Sequence, residues 1–166
     1  DHRDLHSFPT RRSSDLKCYS DKSAQKFFNS DRCTGDFCIY KIEDMLLCIR
    51  AWLDAYSNQD YIRFAVIDKS LSEAVGTIEM FGYVGKYKIK TGILRVDVSS
   101  KYETENYLTE LFNVCSNNFF ELFEVDTMAT KAIPQASERR KTLIKNGFSE
   151  GKVYEGEHYF LRSKSV

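Results

Sequence analysis

The apolar pattern of this chain changes period once in a way that organises the rest, between Gly92 and Phe123. From Gly92 to Val98 residues alternate, with Leu94, Val96 and Val98 on one side and Ile93, Arg95 and Asp97 on the other, which predicts a strand. From Leu108 onward the apolar positions are Leu111, Phe112, Cys115, Phe119, Leu122 and Phe123, spaced by threes and fours as on an amphipathic helix. Ser100 with Glu103 has capping-box spacing and Thr104 is a second N-cap candidate, so the helix should start near residues 100–105. A helix opening from a strand end presents N–H groups that can hold an anion.

The flanking elements follow from the same periods. Ala24, Phe27 and Phe28 after a Ser20 or Asp21 cap suggest a short helix, and Ile42 to Tyr56 a longer one with Trp52 on its apolar stripe. Tyr61 to Ile67 and Ala74 to Phe81 read as a hairpin, and the Lys-rich stretch from Lys86 to Lys90 as a soluble loop or strand edge. Thr127 to Ile133 follows the long helix as a strand, so strand, helix and strand imply parallel pairing. Pro134 stops that strand, Ser137 caps a last helix to Asn146, and Gly147 ends it. Ser149 to Tyr154 and His158 to Arg162 close the chain as a second hairpin. The sum is an α+β fold with a mixed, mainly antiparallel sheet flanked by helices.

Residues 1–16 show no apolar period, and SFPTRRSSDL resembles the translation of a sequencing adapter, a contaminant of reading frames from metagenomic assemblies. They are expected to be a non-native, mobile tail, leaving residues 17–166 as one domain. Composition narrows the chemistry. With 24 basic and 24 acidic residues, no basic field points to nucleic acid or anionic lipid. Cys18, Cys33, Cys38, Cys48 and Cys115 never form C-x-x-C, which argues against a disulfide framework and a zinc site. Reduced thiols in a cytoplasm fit, with Cys48 and Cys115 as small hydrophobes. No apolar run approaches the roughly 20 residues that span a bilayer.

Three segments carry a resemblance: YIRFAVID followed by EAVGTIEMFG, GILRVDV running into the long helix, and TKAIPQASERRKTLIKNGF. With one initial strand missing, this order resembles the GNAT superfamily of acyl-CoA N-acyltransferases, in the branch that includes ribosomal-protein acetyltransferases. The resemblance covers nearly everything from about residue 20 on. It implies that acetyl-CoA, as co-substrate, lies where the strand ending at Val98 splays from Thr127 to Ile133, and that an amine attacks the thioester directly. It also implies that the absent first strand pairs beside Tyr61 to Ile67. The resemblance places cofactor contacts at Val98, Ser99, Glu103, Thr104, Asn106, Tyr107 and Leu108.

At that turn the sequence departs from the family, whose motif is Arg or Gln, two residues, Gly, any residue, then Gly or Ala. Here Glu103, Asn106 and Leu108 stand at those places, and Glu103 and Glu105 would repel phosphate. Ser137, Arg139 and Arg140 on the last helix, with Lys141 and Lys145, could compensate if they face the cofactor, or could form a solvated face. For the general base the usual Glu is missing near Gly92. Asp97 is the replacement unless Arg95 pairs with it, and Glu79 the second candidate unless it faces solvent. Tyr154 or Tyr102 would have to protonate the thiolate, Ser137 reads as a cap rather than an acid, and His158 as packing. Two readings compete with N-acetyl transfer to an amine: a non-catalytic domain binding a ligand or partner in the same cleft, and an acyltransferase with another donor. The acceptor amine and the oligomeric state have no signature here, and no metal is expected.

Overall fold

A computed structural model of the protein describes residues 8–29, 37–84, 90–153 and 156–164. Three helices come first: α1 (Phe8–Tyr19), α2 (Lys22–Gln25) and α3 (Ile42–Ser57). Then follow β1 (Ile62–Asp68), β2 (Glu73–Val84), β3 (Lys90–Val98), α4 (Glu105–Leu122), β4 (Thr127–Lys131), α5 (Ser137–Lys145), β5 (Ser149–Val153) and β6 (Gly156–Ser163). The strands form one sheet in the order β1-β2-β3-β4-β6-β5, with β1 at one edge. Among the described residues only the β3–β4 pair is parallel. That is the mixed, mainly antiparallel arrangement read from the sequence.

Each face of the sheet carries its own core. Leu94, Val96 and Val98 of β3 join Ile78 and Met80 of β2 under Leu108, Phe112, Cys115 and Phe119 of α4. These are the apolar positions whose three-and-four spacing predicted the helix. Opposite them, Cys18, Tyr19, Ile39 and Met45 pack with Cys48, Ile49 and Trp52, so α1 and α3 cover the other face. Trp52 is a wall of this second core, with its ring 5.6 Å from that of Tyr19. Gly147, at φ 77°, ends α5 as predicted, and the N–H of Phe148 reaches back to the carbonyl of Leu143.

Several expectations change. The segment 8–16 is not outside the fold, since it forms most of α1, with Ser14 and Asp15 buried. Polar anchoring replaces an apolar stripe there: the N–H of Ala74 donates to Ser14 Oγ at 3.2 Å, and Lys17 pairs with Glu73 at 2.7 Å. Residues 1–7 lie outside the described residues, as do Cys33 and all of the Lys-rich stretch before Lys90. The Ser100–Glu103 capping box does not form, because Ser100–Tyr102 make a separate 3₁₀ turn and Thr104 is the N-cap residue of α4, without a side-chain bond. Ser137 is the first residue of α5 rather than its cap, which is Ala136. β4 stops at Lys131, short of Ile133. His158 is not packed inside: it is exposed on β6 at φ 65°. Cys18, Cys38, Cys48 and Cys115 are free thiols. Cys18 and Cys115 are buried, and burial pushes both thiols up to about 12, so neither is a nucleophile at neutral pH.

Candidate functional site

β3 and β4 part company early. Their register runs only from Thr91–Thr127 to Leu94–Thr130, yet β3 continues to Val98. Residues 95–98 therefore keep β2 as their strand neighbour and leave a splay on the β4 side. Pro134 after β4 prevents the ladder from resuming. Asp97 sits in this unpaired stretch, on the face covered by α1 and α3.

Cross-strand register assembles a charged network around it. Arg63 of β1 lies opposite Glu79 of β2, which lies opposite Arg95 of β3. Next to that row, Thr77 lies opposite Asp97. Arg63 Nη2 donates to Glu79 Oε2, and Arg95 Nη1 donates to Glu79 Oε1 at 2.7 Å. Arg63 Nη1 donates to the Tyr19 hydroxyl at 2.8 Å, and that hydroxyl shares a 2.6 Å hydrogen bond with Thr77 Oγ1. The guanidinium of Arg63 also lies 4.2 Å from the centre of the Trp52 ring, so a cation–π contact adds to the ion pair and hydrogen bonds that compensate its burial.

Glu79 is therefore not exposed: it is 2% exposed, and each of its carboxylate oxygens accepts a hydrogen bond from a guanidinium. Asp97 has the opposite circumstance. It is 1% exposed, neither carboxylate oxygen accepts a hydrogen bond, and Arg63 Nη1 is 3.9 Å away. The expected Arg95–Asp97 hydrogen bond is not made, because Arg95 turns across the strands to Glu79. Burial raises the Asp97 carboxyl from 3.8 to about 6; Arg63 pulls it down and Glu79 pushes it up. A buried carboxylate without hydrogen bonds and with a raised pKa has the physical character from which general bases are drawn.

The turn beyond β3 is the other half of the splay, and here the structure differs from both readings of α5. Arg139 is 1% exposed, so it is not a solvated face. It does not await phosphate either, because Nη2 and Nε both donate to the carboxylate of Glu103. Lys145 pairs with Glu105 at 2.5 Å, Lys141 with Glu138, and Arg140 with Glu150 while lying over the Phe160 ring. A third acid closes the turn: the N–H of Ser100 donates to Asp21 Oδ2 at 2.7 Å, while Asp21 Oδ1 caps α2. Of the remaining cofactor candidates, Val98 and Leu108 are core residues, whereas Thr104, Asn106, Tyr107 and Ser137 are exposed around the turn. The Ser99 hydroxyl bonds the carbonyl of Val75. Carboxylates thus engage Arg139, Lys145 and the Ser100 N–H, so a pyrophosphate approaching the N-terminus of α4 meets negative charge and side chains already paired.

Tyr102 is buried and its hydroxyl donates to Asp68 Oδ2 at 2.7 Å, so it is committed away from the splay. Tyr154 lies outside the described residues. Sequence reasoning missed Arg63, whose only signal was a charged residue inside an apolar run, and Tyr19, which had none among its polar neighbours Lys17, Ser20 and Asp21. Among the described residues no cluster of His, Cys, Asp and Glu suits a metal ion. The cavity adjoining the network, about 310 Å³, lies between α3 and β1 rather than in the splay. Trp52, Tyr56, Phe64 and Ala65 give it aromatic and apolar walls, and Arg63 and Thr77 join it to the network.

Comparison with solved structures identifies the fold. The chain superposes on the ribosomal-protein-S5-alanine acetyltransferase from Vibrio fischeri with TM-score 0.65 and 15% identity, covering 93% of this chain and 90% of that one. A GNAT-family acetyltransferase from Bacillus anthracis gives 0.66 at 16% identity, covering 92% and 89%. The spermidine N-acetyltransferase from Vibrio cholerae, solved with CoA and spermine, gives 0.64 at 12% identity, covering 98% and 94%. The fold is that of the GNAT acetyltransferases. No family model and no curated protein matches the sequence.

Proposed function

We propose that the protein is an N-acyltransferase of the acetyltransferase type, with Asp97 as the general base. One observation carries this: a buried carboxylate without hydrogen bonds stands at the open end of the β3–β4 splay, in a fold shared with a ribosomal-protein-S5-alanine acetyltransferase and a spermidine N-acetyltransferase. The acceptor enters as an ammonium, gives one proton to Asp97, and its lone pair attacks the thioester carbonyl carbon. The C–N bond forms, the C–S bond breaks, and the second amine proton leaves with the thiol. Backbone N–H groups of residues 95–98 that lack a β4 partner are the donors suited to the developing oxyanion. Glu79 and Arg63 are positioning residues, since they fix the field that Asp97 experiences.

The acceptor is a primary amine with an apolar body, assigned to the cavity between α3 and β1, whose walls match it. Acetyl-CoA, the donor the resemblance implies, would meet the carboxylates of Glu103 and Glu105 at the α4 turn. The free thiols suit a reducing compartment such as the cytoplasm. The test is thiol release from an acetyl thioester in the presence of spermidine and of peptide N-termini, for the native protein and for Asp97→Asn. Activity should rise with pH through about 6, the range in which Asp97 ionises. Asp97→Asn should lose about a hundredfold or more in kcat. An Asp97→Asn variant with the native rate and pH profile would remove Asp97 from the reaction.

A further inference from the structure

The α4 turn is a finished electrostatic structure. Glu103 stands where the resemblance places an anion-binding side chain, yet its carboxylate, itself an anion, lies against Arg139 in the core of the turn. Side-chain exposures of 1% for Arg139 and 8% for Glu103 make this a desolvated pair. Separating it would strand one charge without a partner in a low-dielectric site. Glu105 does the same for Lys145 at the rim, and Asp21 takes the Ser100 N–H. Two cations and one N–H beside the start of α4 are thus taken by carboxylates belonging to the chain, and those carboxylates place negative charge where a pyrophosphate would lie.

We propose that Glu103 is the residue that sets donor specificity, and that it selects thioesters whose arm carries no pyrophosphate at this turn. This rests on the acyl-transfer reading above. The donor class is an acyl group on a neutral, pantetheine-like arm that lies in the splay and forms its contacts with β3 and β4. An incoming pyrophosphate would meet Glu103 and Glu105 and would have to displace Glu103 from Arg139. Nothing comparable opposes a neutral arm. The chemistry is unchanged: the acyl carbon still passes to the amine, and the arm leaves as its thiol.

The experiment compares two thiols that differ only beyond the arm, CoA and pantetheine, titrated calorimetrically into the full chain. The expected result is dissociation constants within about threefold of each other. Glu103→Gln, which removes the charge and frees Arg139, should strengthen CoA binding by about tenfold or more and leave pantetheine unchanged. Glu105→Gln, at the exposed rim, should strengthen CoA by about twofold to threefold, and it tests the same repulsion where loss of the buried pair unfolds Glu103→Gln. Native protein that binds CoA about a hundredfold more tightly than pantetheine overturns the proposal and leaves the acyl-transfer reading standing. Folded native protein that binds neither thiol overturns both.

Discussion

The raised Asp97 carboxyl has a consequence for the pH dependence of stability. The Asp97→Asn substitution keeps the shape of the side chain and removes its titration. In the fold, burial holds the carboxyl at about 6 against an ordinary 3.8, so the folded protein keeps this proton to higher pH than the unfolded chain does. The stability that Asp97 contributes is therefore fully present below about 3.8 and lost as pH rises through about 6. At about 1.4 kcal/mol per pH unit, the loss is on the order of 3 kcal/mol. The Asp97→Asn variant has no such dependence.

Urea unfolding of both proteins at pH 4 and at pH 7.5 measures the effect. At pH 4 Asp97 is largely neutral in the fold, and the two proteins should differ little. At pH 7.5 the variant should gain on the native protein by about 2 to 3 kcal/mol relative to their difference at pH 4, with unchanged urea dependence. Arg63, 3.9 Å away, is the strongest of the cationic influences that oppose this sign. If the native protein instead gains on the variant between pH 4 and pH 7.5, the ionised carboxylate is a net stabiliser paired with Arg63, and its role as a poised base is refuted.

Three further substitutions test the frame around the site. Gly76→Ala would place its Cβ 2.3 Å from the carbonyl oxygen of Asp97 and 2.8 Å from Cα of Val98, both backbone atoms that cannot turn aside, so it should cost about 3 kcal/mol in urea unfolding. Gly82→Ala, with nothing within 4 Å of the added carbon, should stay within about 0.5 kcal/mol of the native protein and serves as its control. Ala65→Leu fills the cavity between α3 and β1 at a residue that is not part of the charged network. It should raise the KM for an amine acceptor about tenfold with little change in kcat, and an unchanged KM would place the acceptor elsewhere.

Periodicity made the sheet and its two flanking layers legible because each helix and strand buries a face whose spacing is written locally. Leu94, Val96, Val98, Leu108, Phe112 and Cys115 meet in one core as their spacings require. The first part of α1 escaped because Ser14 is fastened by a hydrogen bond to Ala74, far along the chain, which leaves no period, while the apolar contacts of the helix come only at its end, through Leu16, Cys18 and Tyr19. The Arg63–Glu79–Arg95 row depended on register. A bulge between Val66 and Ile67 intervenes, with a loop whose turn type its residues do not declare. A slip of one residue would have turned these side chains to the opposite face.

Asp97 and Glu103 show how far residue type falls short of role. Both are buried or nearly buried acids close to an arginine, and both stand out in the sequence, one as a base and the other as an obstacle to phosphate. Glu103 accepts two hydrogen bonds from Arg139, and its charge is used in holding α5 to the turn. Asp97 accepts none, and Arg63 and Arg95 are committed to Glu79. The difference arises in the partners' geometry: Arg139 arrives from a helix 36 residues away that lies over the turn, while Arg63 and Arg95 are drawn to Glu79 by cross-strand pairing. A carboxylate whose bonds are complete builds structure. One left incomplete beside a splayed strand retains the capacity to take a proton, and that asymmetry, more than the fold, is the reason to look for chemistry at Asp97.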